Sequence, residues 1–174
     1  MLRGINVGGK NKLPMKDLAA MFSAAGCSDV RTYIASGNVL FSAAPGMAKG
    51  LADKISRRIA DDFGLRVPVV MRTAAEFRDV SAKNPFLNSG DDNVPLFVGF
   101  LADRPEPSLV AALDPKRSPG DSFKVQGREI YMRLATGAAK TKLTNAYFDS
   151  ALRTTSTFRN WRTVMKLAQM IQEP

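Results

Sequence analysis

Two short stretches carry residue types and spacings that could do chemistry. The first, GINVGGKN from Gly4, has the G-x-x-x-x-G-K spacing of a phosphate-binding loop, with Asn11 where Ser or Thr would meet Mg²⁺. The second, RNWRT at residues 159–163, reads as part of a helix. There Arg159 and Arg162 stand one turn apart, able to grip a phosphate or carboxylate with paired N–H donors, and Asn160 and Thr163 add hydrogen-bonding groups. The ordinary alternative is a solvated basic face on a core helix, with Trp161 buried on the other side.

A working P-loop is not expected. It needs a strand before the first glycine, a helix starting at the lysine and a hydroxyl for the metal. Gly4 has only three residues before it, Ile5 and Val7 read as strand, and Pro14 puts the helix start four residues beyond Lys10. A weaker reading survives. A strand running into Gly8, Gly9, Lys10 and Asn11, then a helix N-terminus, can bare backbone N–H groups beside Lys10 and Lys12 as an anion-binding nest. The glycines could equally serve only a tight turn.

Other chemistry is scarce. There is no histidine, which removes Ser-His-Asp and Cys-His catalysis and the commonest metal ligand. Cys27 is the single cysteine, with Asp29 rather than a base close by in the sequence, so it reads as an incidental small residue and not a nucleophile, and it allows no disulfide within the chain. The pairs Asp61-Asp62 and Asp91-Asp92 lack the spacing of a calcium loop and read as solvated charge. No metal and no cofactor are expected. Tyr33, Phe41 and Tyr131 fall on expected strands, where aromatics can stack bases, but the basic-Gly-aromatic pattern of an RRM is absent.

The charge is unevenly placed. Of the net +9 over 174 residues, residues 1–16 hold +4 with no acid, residues 17–121 hold −1, and residues 122–174 hold +6. A positive surface built from the two ends would suit a phosphate-bearing partner. Apolar residues make up 45% of the chain, enough for a core, and no apolar run approaches the length of a membrane span. Arg3 and the polar residues after it do not read as a signal peptide, so a cytoplasmic location and no membrane partner are expected.

The elements that must position these residues follow from periodicity. RGINV and RVPVVM read as strands, PMKDLAAMFSAAG and the Leu51, Ile55, Ile59, Phe63 series as helices, and DVRTYIASGNVLFSA as two strands joined at Ser36-Gly37, with Val30, Thr32 and Ile34 on one face. The first seventy residues thus read β-α-β-β-α-β, a ferredoxin-like order. Thr73 and Glu76 form a capping box that opens a short helix. The polar run NPFLNSGDDNVP marks a boundary, giving one subdomain over 1–83 and another over 84–174. The second reads β-α-β-β-α, followed by a basic helix over TTSTFRNWRTVMKLAQMI with N-caps at Thr154 to Thr157 and a buried stripe through Phe158, Trp161, Val164, Met165, Ala168 and Ile171. The fold class expected is α+β.

LRGINVGGKNKLPM, RTYIASGNVLF, Asn84-Pro85-Phe86 and RNWRTVMKL together resemble the bacterial domain-of-unknown-function 1697 family over nearly the whole chain. The resemblance implies an α+β fold with a ferredoxin-like first subdomain and implies no activity. Members usually carry several more apolar residues before Leu-Arg-Gly, where this chain has Met1, so a shortened first strand or an upstream start is expected. The leading functional expectation is an anionic ligand, nucleic acid or a phosphorylated small molecule, held by Arg3, Asn6, Gly8, Gly9, Lys10, Asn11, Lys12, Ser36, Asn38, Arg159, Asn160, Arg162 and Thr163. The alternatives are an enzyme using Arg and Lys electrostatics on a phosphorylated or carboxylated substrate, and a protein-interaction module.

Overall fold

Apolar residues at helical spacing build the first part of the chain. In a computed structural model that describes residues 1–87 and 94–173, Leu18, Met21 and Phe22 bury one side of α1 (Met15–Ala24). Leu51, Ile55 and Ile59 do the same for α2 (Leu51–Phe63). Each helix ends at a left-handed glycine, Gly26 at φ 95° and Gly64 at φ 67°, which a side chain would disfavour. Between the helices, β1 (Ser28–Tyr33) and β2 (Asn38–Ser42) pair antiparallel, with Tyr33 opposite Asn38.

Three expectations for this part are corrected. RGINV is not a strand, because Gly4 and Asn6 take left-handed φ of 72° and 54°, and a strand cannot pass through that region. RVPVVM is not one either. Pro68 has no N–H for a ladder, and the two segments meet in a single bridge, Leu2 to Val69. The β1–β2 turn is four residues, 34–37, rather than a tight turn at Ser36-Gly37, and Ile34 leaves the strand for φ 48° and solvent. Backbone hydrogen bonds from Leu2 N to Gly37 O (2.9 Å), from Arg3 N to Pro68 O (3.2 Å) and from Val70 N to Met1 O (2.8 Å) set the Met1–Arg3 backbone between those two segments.

The chain divides into two compact units, Met1–Met71 and Arg72–Pro174. The division falls earlier than the sequence boundary between 83 and 84, because α3 (Ala74–Ala82) packs on the C-terminal helix and Phe77 stacks on Phe100 at 5.5 Å. The capping box is present: Glu76 N donates to Thr73 Oγ1 and Thr73 N to Glu76 Oε2. The Asp91-Asp92 pair lies outside the described residues.

The second unit is built on a four-stranded antiparallel sheet in the order β4-β5-β3-β6. Its strands are β3 (Leu96–Leu101), β4 (Ser122–Gln126), β5 (Glu129–Arg133) and β6 (Ser156–Asn160). β3 is covered on both faces, as its run of apolar residues requires. Leu101, Ile130 and Met132 pack with residues of α4 (Pro107–Ala111) and α5 (Asn145–Leu152), while α6 (Trp161–Gln172) contacts β3 and β6. Gly99 is small for a reason: a Cβ there would lie 2.7 Å from the Phe158 ring.

β6 corrects the reading of the C-terminal segment. STFRN is a strand, and Phe158 faces Gly99 in the sheet instead of joining a helical stripe. The helix starts at Trp161, its N-cap is Asn160 rather than one of Thr154 to Thr157, Met165 is exposed, and Leu167 is buried. The second unit is therefore β-α-β-β-α-β between α3 and α6, not β-α-β-β-α. At one end of its sheet the Arg72 guanidinium, almost wholly buried, donates to Glu129 Oε1, Leu101 O and Arg128 O, each at 2.8 Å. That pairing compensates the desolvation that lowers its pKa.

Candidate functional site

The GINVGGKN segment is a miniature hairpin. Gly8 and Gly9 take successive left-handed φ of 56° and 75°, the signature of a type I′ turn, and Lys10 N donates to Val7 O at 3.0 Å. Asn6 N donates to Asn11 O at 3.0 Å. Two of the N–H groups that a phosphate cradle would present are therefore engaged inside the hairpin, and α1 begins at Met15, five residues after Lys10. Built Cβ atoms at Gly4, Gly8 and Gly9 would meet nothing within 4 Å, so these glycines serve the backbone conformation and not packing.

Asparagine side chains give the loop one shape. Asn6 Nδ2 donates to Leu13 O and to Ala35 O, both at 2.8 Å, and its Oδ1 accepts from Leu13 N at 2.9 Å. Asn11 Nδ2 donates to Gly4 O at 2.7 Å. Asn38 is fully buried and its Nδ2 donates to Tyr33 O and Ser36 Oγ, bracing the 34–37 turn. A side chain at Gly37 would be both strained and crowded, since a Cβ would sit 2.6 Å from Leu2 Cβ at a φ of 82°. Asn6 thus fastens loop 4–12 to turn 34–37. Lys10 and Lys12 are exposed, and Arg3 is half-buried.

The RNWRT stretch is a strand-to-helix corner. Arg159 lies in β6 opposite Val98 and Arg162 in the first turn of α6, so the two are not a pair on one helix face. Arg159 is buried, and its guanidinium donates to Thr157 Oγ1 at 3.0 Å and to Phe158 O at 2.8 Å. Burial pushes it down to about 10. Asn160 caps α6, its Oδ1 accepting from Thr163 N at 2.8 Å, and Thr163 is buried. Arg162 is exposed. Asn84, in the third motif, closes an Asx turn by accepting from Phe86 N at 3.0 Å.

Other polar sites were not signalled by spacing. Asp121 accepts from Ser118 Oγ (2.7 Å), Thr136 N (2.9 Å) and Thr136 Oγ1, while Asp149 accepts from the N and Oγ of buried Ser156. Their partners lie up to 15 residues away, so no local pattern marks them. Between α1 and α2 the first unit has a cavity of about 650 Å³, its charged lining being Asp17, Lys54, Arg57, Arg58, Asp61 and Asp62, and none of the sequence-derived anion candidates lines it. Burial raises the Cys27 thiol despite nearby Lys54, which keeps it protonated and unreactive.

The family model described as "Protein of unknown function (DUF1697)" matches residues 1–131. No curated protein matches the chain. Among solved structures, the chain is similar to the conserved bacterial protein SP0830 from Streptococcus pneumoniae, with a TM-score of 0.68 at 23% identity, over 98% of this chain and 96% of that one. At that identity the likeness speaks to the fold alone.

Proposed function

We propose a function on the premise that this chain belongs to the DUF1697 family: the first unit binds a phosphate-bearing polyanion, nucleic acid, through the hairpin at residues 4–12 and the turn at residues 34–37. The observation that carries this is the pairing of charge with rigidity. Residues 1–16 hold Arg3, Lys10, Lys12 and Lys16 and no acid, and Asn6 and Asn11 hold the loop that bears Lys10 and Lys12 in one conformation. Preorganised cations lose less entropy on meeting phosphates than cations on a loose tail. The N–H groups of Gly8 and Gly9 at the hairpin tip add donors to the same surface. In the second unit, Arg162 is the RNWRT cation exposed to reach an anion. Arg159, Asn160 and Thr163 contribute by holding the corner on which it stands.

We also infer that both units follow the ferredoxin-like plan. In the second unit this rests on the β-α-β-β-α-β order and the strand order β4-β5-β3-β6. In the first it rests on the hydrogen bonds that set Leu2 between residues 37 and 69, with the pairing of the unit's first and last segments reduced to one bridge.

The test is fluorescence anisotropy of labelled duplex DNA and single-stranded RNA against the purified protein across a salt series. Affinity falling linearly in log salt, with a slope near −0.9 per phosphate contacted on duplex, is the expected result. Absence of binding at about 20 mM salt overturns the proposal, since the electrostatic term is then at its strongest.

A further inference from the structure

Among the described residues, four large apolar side chains are exposed, and two of them, Val7 at 64% and Ile34 at 51%, stand on the two loops that Asn6 ties together. Neither is there for the fold's sake. Val7 precedes the two glycines at the hairpin tip and sits in no core cluster. Ile34 is a β-branched residue at φ 48°, a conformation that Gly or Asn would adopt with less strain. An exposed, strained isoleucine and an exposed valine, each next in sequence to one partner of the Asn6–Ala35 hydrogen bond, are a cost that folding does not explain, and such costs gather at functional positions. The charge carried by these two loops has one sign. Residues 3–13 and 34–37 contain Arg3, Lys10 and Lys12 and no carboxylate.

We propose that Val7 and Ile34 are apolar wedges that press into a base step of duplex DNA, while Lys10 and Lys12 hold the phosphates on either side; this rests on the nucleic-acid reading above. Basic flanks select a polyanion, and aliphatic tips select an occupant with an apolar interior that can be entered. Proteins that kink a duplex from its minor groove do so with such side chains, partly unstacking one step. A single-strand binder instead offers exposed aromatic rings as stacking platforms, and the tips here are aliphatic. Two side chains also give too little apolar area to hold a lipid surface, where anchoring needs a long acyl chain or a whole helix face. The favoured sites are flexible pyrimidine–purine steps, above all TA, which open at the lowest energetic cost.

A duplex of about 20 base pairs with 2-aminopurine in place of the adenine of a central TA step reports unstacking as a rise in fluorescence, alongside anisotropy for binding. The full chain is expected to raise the fluorescence as it binds, and to prefer this duplex about tenfold over one whose centre is a stiff A-tract. The Val7→Ser/Ile34→Gly variant keeps its lysines and gives Gly the left-handed position, so it is expected to fold, with a melting temperature no lower than wild type. It should bind with an unchanged salt slope, no fluorescence rise and no preference. Binding by the wild type without a rise, or a rise retained by the variant, overturns the wedge and leaves the nucleic-acid reading standing. Absence of any anisotropy change overturns both. Equal loss of binding to phosphatidylserine vesicles in the variant, with duplex unstacking unaffected, would transfer the two tips to a lipid partner and overturn the proposal.

Discussion

Glycines in the first unit divide by what surrounds them. Gly8 and Gly37 both have left-handed φ, 56° and 82°, but a Cβ at Gly8 meets open space while one at Gly37 would be driven into Leu2. Gly8→Ala therefore adds only conformational strain, about 1 kcal/mol. Gly37→Ala adds that strain and an overpacked contact beneath the turn, for a total of about 2–4 kcal/mol. Urea unfolding of the two variants measures the difference. Equal losses would show that the turn relaxes around the new methyl group and that Gly37 is not the fixed point of the loop pair. The asparagines belong to the same scale. As nucleic-acid contacts they looked like hydrogen-bonding groups on offer, whereas the Asn6 side chain makes three hydrogen bonds within the protein and Asn38 is fully buried. Asn6 ties the loop that bears Lys10 and Lys12 to Ala35, and Asn38 braces the turn at residues 34–37.

Between elements, one carboxylate joins the open end of the β4–β5 hairpin. Asp121 stands just before β4 and accepts from Thr136, just after β5, and from Ser118. Desolvation raises its pKa, but the hydrogen bonds from Thr136 and Ser118 outweigh that and leave it below the ordinary value. A folded pKa below the unfolded one makes the ionised form stabilising. The contribution is whole above the unfolded value of about 3.9 and is lost as pH falls through the folded one. Asp121→Asn is expected to cost about 2–3 kcal/mol at pH 7. In urea titrations the gap to wild type stays constant above about pH 5 and closes below about pH 4. A gap that does not change with pH would show that the hydrogen-bond geometry matters and the charge does not. Much of the element pattern was legible in the sequence. α1, α2 and α3 announce themselves by apolar spacing, left-handed glycine stops and the Thr73–Glu76 box, all local signals. β6 was hidden because STFRN pairs with β3, some sixty residues earlier, and nothing local distinguishes it from a helix entry. The N-terminal strand failed for the opposite reason. Ile5 and Val7 have strand propensity, but left-handed Gly4 before them and left-handed Asn6 between them bend the backbone out of any ladder.

For the whole molecule the question is whether charge acts as a total or as an arrangement. The excess of +9 lies at both ends of the chain, so net charge alone would let either end attract a polyanion. The two clusters differ in setting. Lys10 and Lys12 stand on a loop braced by Asn6 and Asn11, while Lys140 and Lys142 flank Thr141 near the start of α5. Lys10→Glu/Lys12→Glu and Lys140→Glu/Lys142→Glu change the net charge by the same amount. If total charge governs, the two variants weaken duplex binding equally at every salt concentration. If the arrangement governs, the first variant loses about two phosphate contacts. Its log–log salt slope becomes shallower by about 2, and the second variant keeps the wild-type slope with only a small uniform drop. The comparison is internally controlled, since both variants carry the same number of new carboxylates and all four lysines lie outside the core. A shallower slope for the second variant alone would move the binding surface to the second unit, where Arg162 is the exposed cation of its corner.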